Sequence, residues 1–342
     1  MLKKVTSILL AISLCFIALT ACSQGTGETS EASDNKSELQ SDSSQTSHYP
    51  LTLSIYDDKG NEIQQTIEKE PERIVVMGQG FAELMLAFGE EKKIVGLAYL
   101  DNSGSEYEEQ IRQLPIITDT WPSKESILEL QPDLIISMSA AFQEDRLGDI
   151  SFWNERGVPV LTGINYTTGR TINSFFEDIT NLGTVLDIED KTNTFVEDQK
   201  AQISEIQKKV AQATDKPRVL LLGISGDTIY YYGPSLCLID EMIEGVGAEY
   251  IKVTDDTYVE MSDESILSVN PDKIIITGFQ ESESESLKNK YLLNPSLQNA
   301  TAIKTGNVMV VEYTNAVRGS FGLADMYEHV AEFIYPELFE EE

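Results

Sequence analysis

Only three cysteines and two histidines occur among the 342 residues. Cys15 falls inside an apolar run near the N-terminus and Cys22 just behind it. Cys237 alone is left for the rest of the chain, so a disulfide within the body is excluded. It occupies the apolar phase of SLCLIDEMI and reads as a small buried hydrophobe. A nucleophilic thiol or hydroxyl needs a basic partner, and His48 and His329 lie in a linker and in a C-terminal helix. Cys-His and Ser-His catalysis are therefore unsupported, and no enzyme is expected. No His or carboxylate cluster has ligand spacing in sequence, since Asp255-Asp256 is a turn-like pair, and no metal site is expected. Basic residues are scarce too. Without Lys3 and Lys4, 57 acids face 23 Lys and Arg, a net charge of −34 with His neutral. No basic stripe is present to displace counterions from phosphates, which excludes nucleic acid as a partner.

What is present begins with Lys3, Lys4 and an apolar run from Val5 to Leu19, too short for a comfortable membrane span and charged at its start like a secretory signal. The run ends in Leu19-Thr20-Ala21-Cys22, which resembles a bacterial lipobox. That resemblance implies a signal peptide over residues 1–21, removal of Cys15 with it, and a diacylglyceryl group on Cys22 that holds the protein at a membrane at roughly 0.8 kcal/mol per buried methylene. From Ser23 to His48, 11 of 26 residues are Ser or Thr and only Ala32 and Leu39 are apolar. Such a composition cannot offset the entropy of ordering. Residues 22–48 are thus read as a tether with a typical reach of about 25 to 30 Å. An extracytoplasmic, membrane-anchored monomer is expected.

The body repeats itself. SKESILELQPDLII (Ser123 to Ile136) and SDESILSVNPDKII (Ser262 to Ile275) share nine of fourteen positions at a constant offset of 139. Each copy predicts a Ser-capped helix, a stop before Pro132 or Pro271, and a buried β-branched strand. Two similar lobes follow.

Around the repeats, strands and helices alternate. A hairpin is predicted from Leu51–Ile55 and Glu62–Ile67, then strand Arg73–Met77, helix Phe81–Phe88 and strand Ile94–Tyr99. Helix Ile150–Arg156 and strand Pro159–Leu161 follow the first repeat. Strands Val219–Gly223 and Thr228–Tyr232 and helix Leu236–Glu244 precede the second; strand Val308–Glu312 and helix Leu323–Ile334 come after it. This βαβα order predicts mostly parallel sheets covered on both faces. Glu189 to Ala213 runs without Gly or Pro and predicts a rod of about 37 Å between the lobes. The expected division is an N-terminal lobe over residues 49–170, connecting helices over 171–216 and a C-terminal lobe over 217–342.

In this order and spacing, PERIVVMGQGFAELMLAFGEEKKIVGLAYLDN, both repeats, FWNERGVPVL, GVGAEYI and NPSLQNATAIKTGNVMVV resemble the class III substrate-binding proteins of ABC importers, which bind ferric siderophores, haem and cobalamin. The resemblance runs from about Leu51 to the end. It implies two Rossmann-like lobes joined by one long helix, with a shallow cleft between them for a bulky chelate. It also implies an ABC permease as partner, met by docking acids that match Glu83 and Glu244 here.

Ligand contacts are expected where strands end at their carboxyl edges. These positions are Met77, Gly78 and Gln79, Tyr99 and Asp101, Trp121, and Ser139 and Phe142 in the first lobe. In the second they are Tyr231 and Tyr232, Tyr258, Phe279, and Tyr313, Asn315 and Arg318. Aromatics supply area with few rotors to freeze. Because Arg318 is the one converging base, a neutral or cationic hydroxamate-type ferric siderophore is preferred over a tri-anionic catecholate. Haem would rely on Met77 or a Tyr as axial ligand, and cobalamin needs only a wide aromatic cleft, so both stay open. No cofactor beyond such a ligand is expected. Two other classes remain in view. Met77-Gly78-Gln79-Gly80 lacks the third glycine of a dinucleotide-binding turn, which weakens a Rossmann enzyme. A surface sensor or adhesin would share both fold and tether.

Overall fold

In a computed structural model, which describes residues 48–101, 105–163, 169–256, 258–281 and 285–340, both copies of the repeat adopt the same local structure. The signal segment, Cys22 and the tether up to residue 47 lie outside the described residues. Ser123 caps the helix Lys124–Glu129 by accepting from the Ser126 amide at 3.1 Å, and Ser262 caps Asp263–Val269 by accepting from the Ser265 amide at 3.2 Å. Gln131 (φ 49°) and Asn270 (φ 47°) then turn the chain through the left-handed region just before each proline.

The aspartate of each Pro-Asp pair does more than punctuate. Asp133 accepts from the Glu72 and Arg73 amides at 3.1 and 2.7 Å, and Asp272 accepts from the Arg218 amide at 2.9 Å. The arginines answer in the opposite direction. Arg73 donates to the Leu130 and Gln131 carbonyls at 2.6 and 3.1 Å, and Arg218 donates to the Val269 carbonyl at 3.1 Å. These are charge-assisted bonds to groups that the helix end and the strand start leave unpaired. In each lobe they clasp the first strand to the strand of the repeat.

The hairpin β1 (Leu51–Tyr56) and β2 (Glu62–Ile67) leads into β3 (Ile74–Met77), β4 (Ile94–Ala98), β5 (Ile116–Thr118), β6 (Leu134–Met138) and β7 (Val160–Gly163). The last five form a wholly parallel sheet in the order β5-β4-β3-β6-β7, with Ile74 opposite Leu134 at the clasp. β3 and β6 are buried along their whole length, and Trp153 fills the core beside them, its indole N–H donating to the Leu147 carbonyl at 2.9 Å. The second lobe is built from β8 (Arg218–Ser225), β9 (Thr228–Tyr231), β10 (Glu249–Tyr250), β11 (Val259–Glu260), β12 (Lys273–Thr277) and β13 (Val308–Val310). Its order is β11-β9-β8-β12-β13, with β10 beside the start of β8 and only β9 running against its neighbours. Strand order reverses beside β3 and beside β8, so each lobe opens a crevice at the carboxyl ends of its clasped pair.

Two antiparallel helices, Ile172–Leu186 and Glu189–Val210, cross between the lobes. The expected rod stops three residues short of Ala213 and spans about 33 Å, and its neighbour makes the connection a pair instead of a single rod. They touch closely at Gly183, where a Cβ would lie 2.0 Å from Thr192 Oγ1. Arg170, fully buried at the crossing, donates through Nη1 to the Leu236 and Val317 carbonyls of the second lobe, each at 2.9 Å. The lobes also meet at Gly80, whose Cβ position is 2.8 Å from the Gly319 carbonyl oxygen, so any side chain there would force them apart.

If the clasps hold the sheets in register, Asp133→Ala and Asp272→Ala should each lower unfolding stability by roughly 1.5–3 kcal/mol, and the double variant by about the sum. Urea denaturation checks this. Losses under about 0.5 kcal/mol would assign register to packing alone.

Candidate functional site

Four strand ends converge on one row of rings. After β4, Tyr99 takes a left-handed backbone (φ 59°), which costs a non-glycine residue and throws its ring across the cleft. That ring lies between Trp121 of its own lobe, 4.0 Å away at 24°, and Phe279 of the other, 4.7 Å away at 17°. Tyr313, after β13, meets the edge of Phe279 at 5.5 Å. Arg318 closes the group, its guanidinium 5.0 Å from the Tyr99 and Tyr313 rings and 5.5 Å from Phe279, and it donates to the Tyr99 hydroxyl at 3.2 Å. At the far end the Arg146 guanidinium lies 5.2 Å from Trp121. Offset parallel rings and cations over ring faces are both attractive arrangements.

A polar latch lies beside the rings. Asp101 accepts from the Gln280 amide at 2.7 Å and from the Thr314 hydroxyl at 3.1 Å. Gln280, also left-handed (φ 59°), donates its side-chain amide to the Leu100 and Asp119 carbonyls at 3.0 and 3.2 Å. Asp101 was expected at a strand end. Gln280, Thr314 and Arg146 were not, because nothing in their local sequence distinguishes them from other loop polars.

Six of the expected contacts thus come together: Tyr99, Asp101, Trp121, Phe279, Tyr313 and Arg318. The others go elsewhere. Met77, Ser139, Phe142 and Tyr231 are buried, because the strand ends turn these side chains into the core. Met77 only borders a small cavity of about 30 Å³ beneath Arg318, together with Gly78, Phe81 and Phe175. Tyr232 is buried as well and pairs with the more exposed Tyr258 at 5.4 Å, on the β9–β11 side of the second sheet, about 10 Å from β12 at normal strand spacing. Asn315 accepts from the Ser320 hydroxyl. Gln79 is not in a loop, since the helix begins there and runs to Phe88; its buried side chain receives the Asp101 amide and donates to Glu83 at 3.0 Å.

Glu83 is corrected by the same geometry. At 3% exposure it lies within the body and offers no surface for a docking partner. Glu244 is exposed, as expected, on the rim of a groove of about 510 Å³ floored by Phe176, Ile203 and Tyr327.

The periplasmic binding protein profile matches residues 74–313. The chain belongs to that family. An uncharacterized ABC transporter substrate-binding lipoprotein of Bacillus subtilis (strain 168), YvrC, is 25% identical over 345 residues, covering 99% of this chain and 100% of its own. A cobalamin-binding protein of Halobacterium salinarum (strain ATCC 29341 / DSM 671 / R1) is 24% identical over 254 residues, 72% of this chain and 64% of its own. A crystal structure of a periplasmic binding protein from Veillonella parvula DSM 2008 superposes with a TM-score of 0.72 at 22% identity, over 85% of this chain and 93% of that one.

In this periplasmic binding protein the cleft floor is acidic. Glu312 accepts from the Thr314 and Asn315 amides, the latter at 2.7 Å. Burial pushes its carboxyl up to about 7, with the nearby Glu83 and Asp101 charges adding to the rise and the two amides opposing it. Burial likewise raises Asp240 to about 6. A carboxyl raised in the folded state stabilises fully below its unfolded pKa, and that contribution is lost as pH climbs through the folded value. For Glu312 the window is about pH 4.5 to 7. Glu312→Gln should therefore flatten the fall in urea stability over this window, leaving the smaller Asp240 contribution. Superimposed pH profiles for parent and variant would count against a neutral, half-buried Glu312.

Proposed function

We propose that this protein is the extracytoplasmic receptor of an ABC importer and captures a bulky metal chelate between its lobes. The observation that carries the reading is the ring row Trp121-Tyr99-Phe279-Tyr313, assembled from both lobes at the strand ends and covered by Arg318. Nothing small and polar requires so much aromatic face. Binding, without turnover, is what rings and one guanidinium provide. Cys22 would carry the lipid anchor on the outer side of the membrane, and Glu244 would meet a basic site on the permease. Among the described residues no helix is long and apolar enough to cross a membrane.

For the ligand, charge favours a ferric siderophore of the hydroxamate type. Arg318 converges on the cleft together with Asp101 and the partly neutral Glu312, a balance that suits a neutral or cationic complex better than a tri-anion. A second reading rests on ring geometry. Tyr99 and Phe279 face each other within 17° across the cleft, so opening the lobes leaves two nearly parallel faces that suit a flat macrocycle. A corrinoid fits this better than haem, because Met77 is buried and cannot serve as an axial ligand.

A thermal-unfolding and calorimetric panel of ferric hydroxamates, ferric catecholates, cobalamin and haem separates these readings. A ligand at 100 times its dissociation constant should add about 2.7 kcal/mol. Arg318→Ala should weaken the responding ligand by roughly 10- to 100-fold, as loss of a charged hydrogen-bonding partner does. Glu244→Lys should abolish uptake with ligand affinity intact; unchanged uptake, or silence across the panel, would instead favour a sensor or adhesin.

A further inference from the structure

The start of the body carries a cluster that the cleft does not use. His48 and Tyr49 dock on the end of the helix Ile172–Leu186, although residue 48 was expected within the tether. Tyr49 donates its hydroxyl to the Val185 carbonyl at 2.9 Å, and His48 Nε2 lies 2.7 Å from the Thr184 carbonyl oxygen. A carbonyl oxygen only accepts, so in the neutral ring Nε2 carries the proton and Nδ1 is left with an unprotonated lone pair. Nδ1 points at Asp187 Oδ1, 3.3 Å away, and a Glu189 carboxylate oxygen joins them within 4.8 Å.

A nitrogen lone pair facing a carboxylate oxygen is repulsive unless a cation lies between them. Zinc bonds to His nitrogen and carboxylate oxygen are about 2.0–2.1 Å, so two ligands of a tetrahedral ion sit about 3.3 Å apart. That is the separation between His48 Nδ1 and Asp187. The Nε2–H bond to a main-chain carbonyl is also the outer contact that orients metal-binding imidazoles. Asp187 is held in place as the left-handed cap of its helix (φ 57°), and Glu189 opens the helix Glu189–Val210. The local field is negative: burial pushes the Tyr49 hydroxyl up to about 12, with Glu70, Asp187 and Glu189 adding to it.

We propose that His48 Nδ1, Asp187 and Glu189 form a binding site for a divalent ion of the zinc class, which staples the start of the body to the joint between the two connecting helices. Residues 48 and 187 are too far apart in sequence for spacing to have indicated it. The inference is independent of what the cleft holds. It assigns the metal to an anchoring role, at the joint across which any lobe movement must pass.

The test uses the full-length chain in detergent, stripped with chelator and titrated with zinc chloride by calorimetry. Cobalt(II) absorption would report the coordination number. We expect one equivalent bound in the micromolar range or tighter, and a thermal midpoint that rises with zinc. His48→Gln, which can still donate to the Thr184 carbonyl, Asp187→Asn, which tolerates the left-handed turn, and Glu189→Gln should each weaken zinc by about tenfold or more with circular dichroism unchanged. Chelate affinity should stay the same in all three. Zinc binding that is undiminished in these variants would place the ion on other carboxylates and overturn the proposal. So would the absence of any zinc response, which would leave the His48–Asp187 contact as an ordinary ion pair of an imidazolium.

Discussion

Each lobe depends on one reciprocal contact, an aspartate that takes the first amides of one strand while the arginine beside it takes the last carbonyls of the preceding helix. Asp133 with Arg73 and Asp272 with Arg218 make this contact at the amino ends of β3/β6 and β8/β12. Strand side chains alternate between faces, so a slip of one residue at either clasp would exchange core and surface along the strand. The consequences appear at the opposite end. The positions of Tyr99 and Phe279 are set relative to strands whose register is fixed a strand length away, and ring faces align across two lobes only if both registers hold.

Around that frame, the lobes are held at three levels of commitment. The helix pair and the buried Arg170 form the permanent connection. The backbone approach of Gly80 to Gly319 limits how closely the lobes fit. The Asp101–Gln280–Thr314 latch is the most easily exchanged, since water would replace each of its bonds if the cleft opened. Protonation of Glu312 belongs to the same interface, because its pKa is raised partly by Glu83 and Asp101 of the facing lobe.

Much of this was legible in the chain itself. The internal repeat revealed two lobes, and the Ser caps and Pro stops placed its helices and strands to within a residue or two. Strand-end position is a guide to rings that line the cleft, as at Tyr99 and Phe279, one and two residues past parallel strands. The guide failed where the chain turns inward at the strand end, as at Ser139 and Phe142, or on the antiparallel side of the sheet, as at Tyr232 and Tyr258. Periodicity shows that a residue is near an end but not which way its side chain points. Glu83 illustrates a different limit. On a helical wheel it reads as a surface acid, and only the packing of its helix against the other lobe buries it. Contacts between residues more than a hundred apart, such as His48 with Asp187, leave no trace in local pattern.

The ring row has a thermodynamic consequence for selectivity. Tyr99 is already sandwiched, so its faces are satisfied by the protein's own Trp121 and Phe279. A ligand entering between Tyr99 and Phe279 therefore exchanges one contact for another instead of covering bare surface. Metabolites with a single small ring would replace no more area than a phenylalanine already covers and would gain almost nothing. Only molecules whose face exceeds a side chain's on both sides would come out ahead, so a chelate site at these rings, as proposed, would discriminate by size before any specific hydrogen bond is made.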